Sequence, residues 1–163
     1  MSKAFTDEEA ADLPAVVPGR APLPPGMPNY VTPRGLELLR AELSALGAER
    51  ARADAIASDK ERGRALGALT QRRVELERRI ATAVVPPSGD SLGAVRFGST
   101  VTVAGESGER RYQIVGVDEA DPAQGRIAFT SPLARALMGR SPGDTVRWRA
   151  PRGDEELEIV AIG

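Results

Sequence analysis

The stretch Ser131-Pro132-Leu133-Ala134-Arg135-Ala136-Leu137 decides the fold of the C-terminal half of this chain. It predicts one short helix, because a serine hydroxyl can cap a helix whose first residue is proline. Gly139 follows where helices commonly end. The runs on either side are short, rich in valine and isoleucine, and separated by glycine, proline and aspartate, which is typical of strands. The pattern predicts an α+β domain with a twisted antiparallel sheet.

This sheet domain is expected over residues 95–163. The runs that predict strands are 95–103, 111–117, 126–129, 145–149 and 155–162. Their apolar residues define the expected core, which consists of Val95, Phe97, Val101, Val103, Tyr112, Ile114, Val115, Ile127, Leu133, Leu137, Val146, Trp148, Leu157, Ile159 and Ile162.

Residues 32–84 carry a different periodicity. Thr32 followed by Pro33 is a helix start, and the leucines at 36, 39, 43 and 46 recur at steps of three and four. A break is expected over 58–67, which contains two glycines, and a second stripe follows through Leu66, Leu69, Leu76 and Ile80. Two such stripes predict an antiparallel coiled-coil hairpin. Two helices of a globular bundle are the alternative, which the narrow apolar stripes disfavour.

The remaining segments are expected to lack regular structure. Residues 1–31 hold many prolines and four acidic residues, which predicts a disordered tail; a docking tail is the alternative. Residues 85–94, which include Pro86-Pro87-Ser88-Gly89, are interpreted as a linker.

Composition excludes several kinds of chemistry. The chain has neither cysteine nor histidine, so disulfides, the usual nucleophilic triads and the commonest zinc ligands are absent. Its apolar runs fall far short of the roughly 20 residues that span a bilayer, and its N-terminus has no signal-like pattern. We therefore expect a cytoplasmic protein that does not bind membranes. A net charge of −1 gives no basis for stable binding to duplex DNA.

The order of hairpin, linker and sheet domain, together with local motifs, resembles the bacterial Gre transcript-cleavage factors over about residues 29–163. The motifs are Asn29-Tyr30-Val31-Thr32-Pro33-Arg34-Gly35, Phe97-Gly98-Ser99-Thr100-Val101, the I-V-G-x-D-E stretch at 114–119, the S-P-x-A-R-A-L stretch at 131–137, and Gly143-Asp144. The resemblance implies an FKBP-like sheet domain that grips the rim of the secondary channel of RNA polymerase. It also implies a monomer whose hairpin descends that channel. In this family the polymerase-contact loop corresponds to Thr130, Ser131, Pro132 and Leu133.

The expected tip of the hairpin departs from the family pattern. Gre factors carry a G-D-x-x-E-N turn whose two carboxylates help to hold a catalytic Mg²⁺ of the polymerase. Counting back from the second helix places Asp59 on the aspartate, Arg62 on the glutamate and Gly63 on the asparagine, while Glu61 is one residue off. An arginine at a ligand position opposes a cation at contact range.

The hairpin is also short by about seven residues in each arm relative to the family, which is roughly 10 Å at 1.5 Å per residue. We therefore predict a non-enzymatic, secondary-channel-binding regulator of RNA polymerase that does not efficiently promote cleavage. It has no metal or cofactor of its own, and any metal contact is between the tip and the Mg²⁺ bound by the polymerase.

Three alternatives remain open at this point. The chain can be a working cleavage factor that uses Asp59 and Glu61 in a distorted turn. It can also be a short-hairpin regulator similar to the Rnk group. A hypothesis of another class is a peptidyl-prolyl isomerase or chaperone module, which the few aromatic residues of the sheet domain disfavour.

Overall fold

The computed structural model describes residues 20–87 and 93–163. The helices are α1 (Pro33–Asp54), α2 (Asp59–Ala81) and α3 (Pro132–Leu137). The strands are β1 (Asn29–Tyr30), β2 (Ala83–Val84), β3 (Thr100–Gly105), β4 (Gly108–Val115), β5 (Arg126–Ala128), β6 (Thr145–Ala150) and β7 (Gly153–Ile162). Two short 3-10 turns, Val117–Glu119 and Pro122–Gln124, lie between β4 and β5.

The helices α1 and α2 form a hairpin joined by residues 55–58. Thr32 caps α1 as predicted, since its hydroxyl accepts a hydrogen bond from the amide of Gly35. The expected break over 58–67 is wrong, because α2 begins at Asp59 and both glycines lie inside it. The cap of α2, in which the hydroxyl of Ser58 accepts from Glu61, and two carboxylates in the first turn favour this early start.

The seam between the two helices follows the predicted stripe. Leu39, Leu46 and Ala53 of α1 are buried, and Leu76 of α2 has no exposed surface. The partly buried residues of the same cluster include Leu36, Leu43, Leu69 and Ile80. The packed seam is confirmed, whereas supercoiling of the two helices stays a prediction.

The sheet has five strands in the order β5-β4-β3-β7-β6. Neighbouring strands are antiparallel except β4 and β5, which pair in parallel, so the expectation of a purely antiparallel sheet is wrong. The physical reason is the connection: the two 3-10 turns carry the chain back before β5 begins, whereas antiparallel neighbours can be joined by a tight hairpin. A separate parallel pair, β1 with β2, joins the two ends of the hairpin.

The core of the sheet domain lies between the sheet and α3. Leu133, Ala134 and Leu137 of α3 are buried against Val101, Val103, Ile114, Val146, Leu157 and Ile159. Phe97, Tyr112, Trp148 and Ile162 are only partly buried, and the other predicted core residues are buried. The α+β class and the core are thus as expected.

Residues 20–31 differ from the prediction of a disordered tail. Leu23 and Met27 pack against the core of the sheet domain, and Val31 is 2 % exposed. We call residues 20–31 the strap, because they lie across the base of the hairpin and contact both halves of the protein. The earlier part of the predicted tail and residues 88–92 of the predicted linker lie outside the described residues.

Among the residues that the structure describes, no helix is long and apolar enough to cross a membrane.

Candidate functional site: hairpin tip, contact loop and junction

The tip of the hairpin is a short turn closed by Arg62. After α1 the amide of Ile56 bonds to the carbonyl of Ala53 at 3.1 Å, and Ser58 then starts α2. The guanidinium of Arg62 reaches back across this turn, where Nη1 donates to the carbonyl of Ile56 at 2.8 Å. Its Nη2 pairs with Oδ1 of Asp59. Arg62 therefore ties the first turn of α2 to the end of α1.

The three candidate tip residues are Asp59, Glu61 and Arg62, and the ion pair joins two of them. The carboxylate of Asp59 is 90 % exposed, so it points to solvent at the end of the hairpin, but it already has a cationic partner. Glu61 follows two residues later on the same helix, which is about 200° around the helix axis. The carboxylates of Asp59 and Glu61 therefore do not converge on one point while the first turn of α2 is intact.

The carboxylates of the hairpin tip do not form a metal site by themselves. Within residues 20–87 and 93–163 there is no group of three or more acidic residues placed to hold a metal ion. One exposed carboxylate paired with an arginine does not make a magnesium site, since Mg²⁺ needs several oxygen ligands in near-octahedral geometry. The tip alone does not fit a resident metal, so no chemical step is derived through one.

The predicted contact loop lies at the start of α3. The hydroxyl of Ser131 caps the helix by accepting from the amide of Ala134 at 3.2 Å. Pro132 is exposed, and Thr130 and Ser131 are half-buried. Leu133 is only 5 % exposed and belongs to the core. A direct partner contact by the side chain of Leu133 is therefore not available in this conformation, and its role is packing.

The junction between the hairpin and the sheet domain was not foreseen from the sequence. Glu119 is 8 % exposed, and its carboxylate accepts from the amide of Thr32 at 3.2 Å and from the hydroxyl of Thr32 at 2.5 Å. The same hydroxyl accepts from the amide of Gly35 at 3.0 Å. The helix cap of α1 is thus also its attachment to the sheet domain.

Two glycines make this close contact sterically feasible. A Cβ on Gly35 would lie 2.3 Å from Cδ of Glu119, and a Cβ on Gly116 would lie 2.5 Å from the carbonyl oxygen of Tyr30. Such distances are far below van der Waals contact, so larger residues would push the two halves apart. Both glycines stand in the motifs quoted above, and this is a physical reason for their presence.

Asp118, next to Glu119, binds two arginines from the other half. Nη1 of Arg20 donates to its Oδ1 at 3.1 Å, and Nη1 of Arg79 lies 3.6 Å from its Oδ2. The Asp118 side chain is 6 % exposed, so both arginines compensate a charge that is largely removed from water. The I-V-G-x-D-E stretch therefore supplies two adjacent carboxylates to the base of the hairpin.

The aromatic residues that the structure describes lie in two separate places. Phe97 and Phe129 pack with Tyr30 of β1 at ring-centre distances of 5.4–5.6 Å, which adds an apolar part to the junction. Tyr112 and Trp148 line a cleft of about 470 Å³ at the opposite, open end of the sheet. In the part of the chain that the structure describes, the aromatic residues are thus split between the junction and an open cleft, which disfavours the peptidyl-prolyl isomerase hypothesis.

Comparisons with known proteins agree with these features. The sequence profile described as "Transcription elongation factor, GreA/GreB, C-term" matches residues 90–163. Transcription elongation factor GreA of Alkalilimnicola ehrlichii is 40 % identical over 150 residues, covering 81 % of this chain and 95 % of that protein. The same factor of Acidiphilium cryptum is 49 % identical over 94 residues, covering 56 % of this chain and 60 % of that protein.

The structure is a two-helix hairpin attached to a small α+β sheet domain. Together with a relative that is 40 % identical over 150 residues, it defines a transcription factor of the Gre class. The chain belongs to the GreA/GreB family of transcription elongation factors. Among solved structures, that of GreA factor homolog 1 (Gfh1) of Thermus thermophilus covers 84 % of this chain and 99 % of its own, at 22 % identity and a TM-score of 0.41. A likeness at that level adds nothing to the family assignment.

The family assignment overturns one expectation. We predicted a non-enzymatic factor. That prediction is overturned, because the relatives are named transcription elongation factor GreA, which places them in the family for which the resemblance above implies transcript cleavage. The prediction rested on two local departures from the family pattern, the missing glutamate at the tip and the short arms. We took these two differences as sufficient to remove the family's activity from this chain.

Proposed function

We propose that this protein is a Gre-family transcription factor that binds RNA polymerase at its secondary channel and stimulates transcript cleavage only weakly. The partner is the bacterial polymerase, the factor acts as a monomer in the cytoplasm, and the metal is that of the polymerase. A coiled-coil hairpin and an FKBP-like sheet domain are the finer fold features of this proposal. The observation that carries it is the ion pair between Asp59 and Arg62 at the hairpin tip.

The ion pair weakens metal assistance for an electrostatic reason. Asp59 occupies the position of the family's metal-binding aspartate, and its carboxylate forms an ion pair with Arg62. To reach a cation, Asp59 must leave Arg62, and the guanidinium that remains nearby repels the same cation. The hydrogen bond from Arg62 to Ile56 keeps that positive charge at the tip. We expect the pair to lower the efficiency of cleavage without removing it.

The contact with polymerase would come from the exposed edge at the start of α3. Pro132 is exposed there, beside the half-buried Thr130 and Ser131. Leu133 supports this edge from below, since it is buried in the core. Pro132→Glu should therefore weaken binding to core polymerase, whereas a charge at Leu133 would unfold the domain and test nothing. Unchanged binding by Pro132→Glu would mean that the contact lies elsewhere.

The cleavage step is tested with a backtracked elongation complex and the full-length protein. We compare the parent with Arg62→Gln, which frees Asp59 but adds no ligand. The matched control is Arg52→Gln, which removes the same charge from an exposed position in the last turn of α1. We expect weak cleavage by the parent, a several-fold increase with Arg62→Gln, and no change with the control.

Other outcomes would separate the parts of this proposal. Strong cleavage by the parent that Asp59→Asn abolishes would show that the ion pair does not mask the aspartate. An equal increase with both glutamine variants would indicate a general effect of tip charge.

The short arms make a second, independent test. Arg62→Glu restores a carboxylate on arms that are about 10 Å shorter than those of the family by the helical rise. One heptad added to each arm restores the family length but leaves an arginine at the glutamate position. The effects of substituting groups that act as one unit are strongly non-additive. We therefore expect family-like cleavage only when both changes are combined, and full activity with Arg62→Glu alone would refute the argument from length.

A further inference from the structure

We propose that the strap sets the direction of the hairpin, with Arg20 acting as a brace between α1 and the sheet domain. This role goes beyond the proposed function, because it concerns where the tip points in the free protein. Arg20 is a positioning residue: it lies at the base of the hairpin and acts on the tip through α1.

The geometry of the brace starts from a pivot. Thr32 at the start of α1 is bound to Glu119 of the sheet domain, which fixes one point of the hairpin. Arg79 of α2 adds a link to Asp118 near the same base, and links confined to the base have only a short lever arm against tilting of the hairpin. For a helix of 22 residues, which is roughly 33 Å long, a tilt of about 10° moves the far end by roughly 6 Å.

Arg20 contacts the hairpin away from this pivot. Its Nη2 donates to Oε2 of Glu42 at 2.5 Å, while its Nη1 donates to Oδ1 of Asp118 at 3.1 Å. Glu42 lies ten residues beyond Thr32, or about 15 Å along α1 by the helical rise. One planar guanidinium therefore joins the sheet domain to a point well up the hairpin, where a link resists tilting better than one at the base.

The strap is itself anchored by contacts with both halves of the protein. Leu23 and Met27 pack against the sheet-domain core, and the carbonyl of Ala21 accepts a hydrogen bond from Arg79 of α2. The Tyr30 ring packs against Phe97 and Phe129 at the other end of the strap. The residues that follow Arg20 in the strap are thus fixed to one half or the other.

The surrounding charges allow Arg20 to be changed without leaving a buried charge unpaired. Asp118 keeps Arg79, and Glu42 keeps Arg72, whose Nη2 lies 3.4 Å from Oε1 of Glu42. Arg20→Gln should therefore fold, while the link between Glu42 and Asp118 is lost.

The test is a distance measurement between two spin labels. The chain has no cysteine, so Ala55→Cys next to the tip and Ser107→Cys in the turn between β3 and β4 give one label in each half. The test variant is Arg20→Gln. The control is Arg73→Gln, which removes an exposed arginine that pairs with Glu77 on the same helix.

We expect a single narrow distance distribution for the parent and for Arg73→Gln, and a distribution at least twice as wide for Arg20→Gln. A parent-like distribution for Arg20→Gln, or equal broadening by both variants, overturns the proposal. If Arg20→Gln does not fold by circular dichroism, Glu42→Gln replaces it: broadening supports the brace, and an unchanged width refutes it. These measurements use the free protein, so their outcome is independent of the cleavage assays.

Discussion

At the scale of single residues, the hairpin is attached to the sheet domain by contacts that are too close to accommodate a larger side chain. Glu119 is buried against Thr32 and Gly35, and its carboxylate satisfies both polar groups of the Thr32 cap. A buried carboxylate is costly unless it is hydrogen-bonded in this way. The absence of a side chain at Gly35 is therefore as necessary as the presence of the carboxylate.

Substitution of two helical glycines tests this point. Gly35→Ala places a methyl group into Glu119, so we expect a loss of about 1–3 kcal/mol in the free energy of unfolding. Gly63→Ala is the control, because no atom lies within 4 Å of its Cβ position, and alanine should stabilise α2 by about 0.5–1 kcal/mol. Urea unfolding measures both. Equal effects of the two substitutions would show that the contact with Glu119 is not tight.

The seam of the hairpin gives a second residue-scale prediction. Leu76 has no exposed surface, so Leu76→Ala should cost about 2–5 kcal/mol of unfolding free energy. Val74, two residues earlier, is 60 % exposed, and Val74→Ala should change it by no more than about 0.5 kcal/mol. A loss below 1 kcal/mol for Leu76→Ala would contradict the packing described here.

At the scale of elements, the hairpin is more firmly packed at its base than at its tip. Near the base Leu39 and Leu76 are buried, and the strap and the β1–β2 pair add further contacts; Leu46, past the middle of α1, is buried too. Towards the tip the seam contains Ala53, a small residue, and Arg50 is exposed. Local opening follows the number of buried apolar contacts, so the two ends should differ in local stability.

Amide hydrogen exchange measures that difference. We expect the fastest exchange of the hairpin between about residues 50 and 68, and slower exchange around Leu39 and Leu76. The Ser58 cap and the clamp by Arg62 limit fraying of the turn but bury little apolar surface. Uniform protection along both helices would contradict the prediction.

At the scale of the whole molecule, the strap, the hairpin and the sheet domain meet in a network of charges. Burial tends to raise the pKa of Glu42, but its hydrogen bonds and ion pairs with Arg20 and Arg72 outweigh burial, so the pKa is lowered overall. For Arg20, burial tends to lower the pKa, and the bonds to Glu42 and Asp118 raise it overall. Ionised Glu42 is thus favoured in the folded protein.

This network predicts a pH dependence of stability. A carboxyl group with a lowered folded pKa contributes stability above its unfolded pKa, about 4.3, and loses it as the pH falls through the folded value. The stability difference between the parent and Glu42→Gln should therefore be largest near pH 7 and should shrink as the pH falls below about 4. Urea unfolding across this range measures it. A difference that grows towards acid would have the wrong sign and refute the assignment.

Much of this protein could be predicted from local sequence patterns. The leucine stripe, the caps at Thr32 and Ser131 and the valine-rich runs depend on residues only a few positions apart, and the structure has each of them. The family motifs likewise identified the class of protein, and the position of Arg62 at the tip was visible in the sequence. What these patterns share is that their physical cause lies within one or two turns of chain.

The tertiary structure alone decided how the halves are joined. Thr32 and Glu119 are 87 positions apart, and Arg20 and Asp118 are 98 apart, so no periodicity links them. For the same reason the ordered conformation of the strap and the parallel pairing of β5 with β4 were not predicted. Sequence patterns fix which surfaces are apolar or charged, but which surfaces meet depends on the free energy of packing the whole chain.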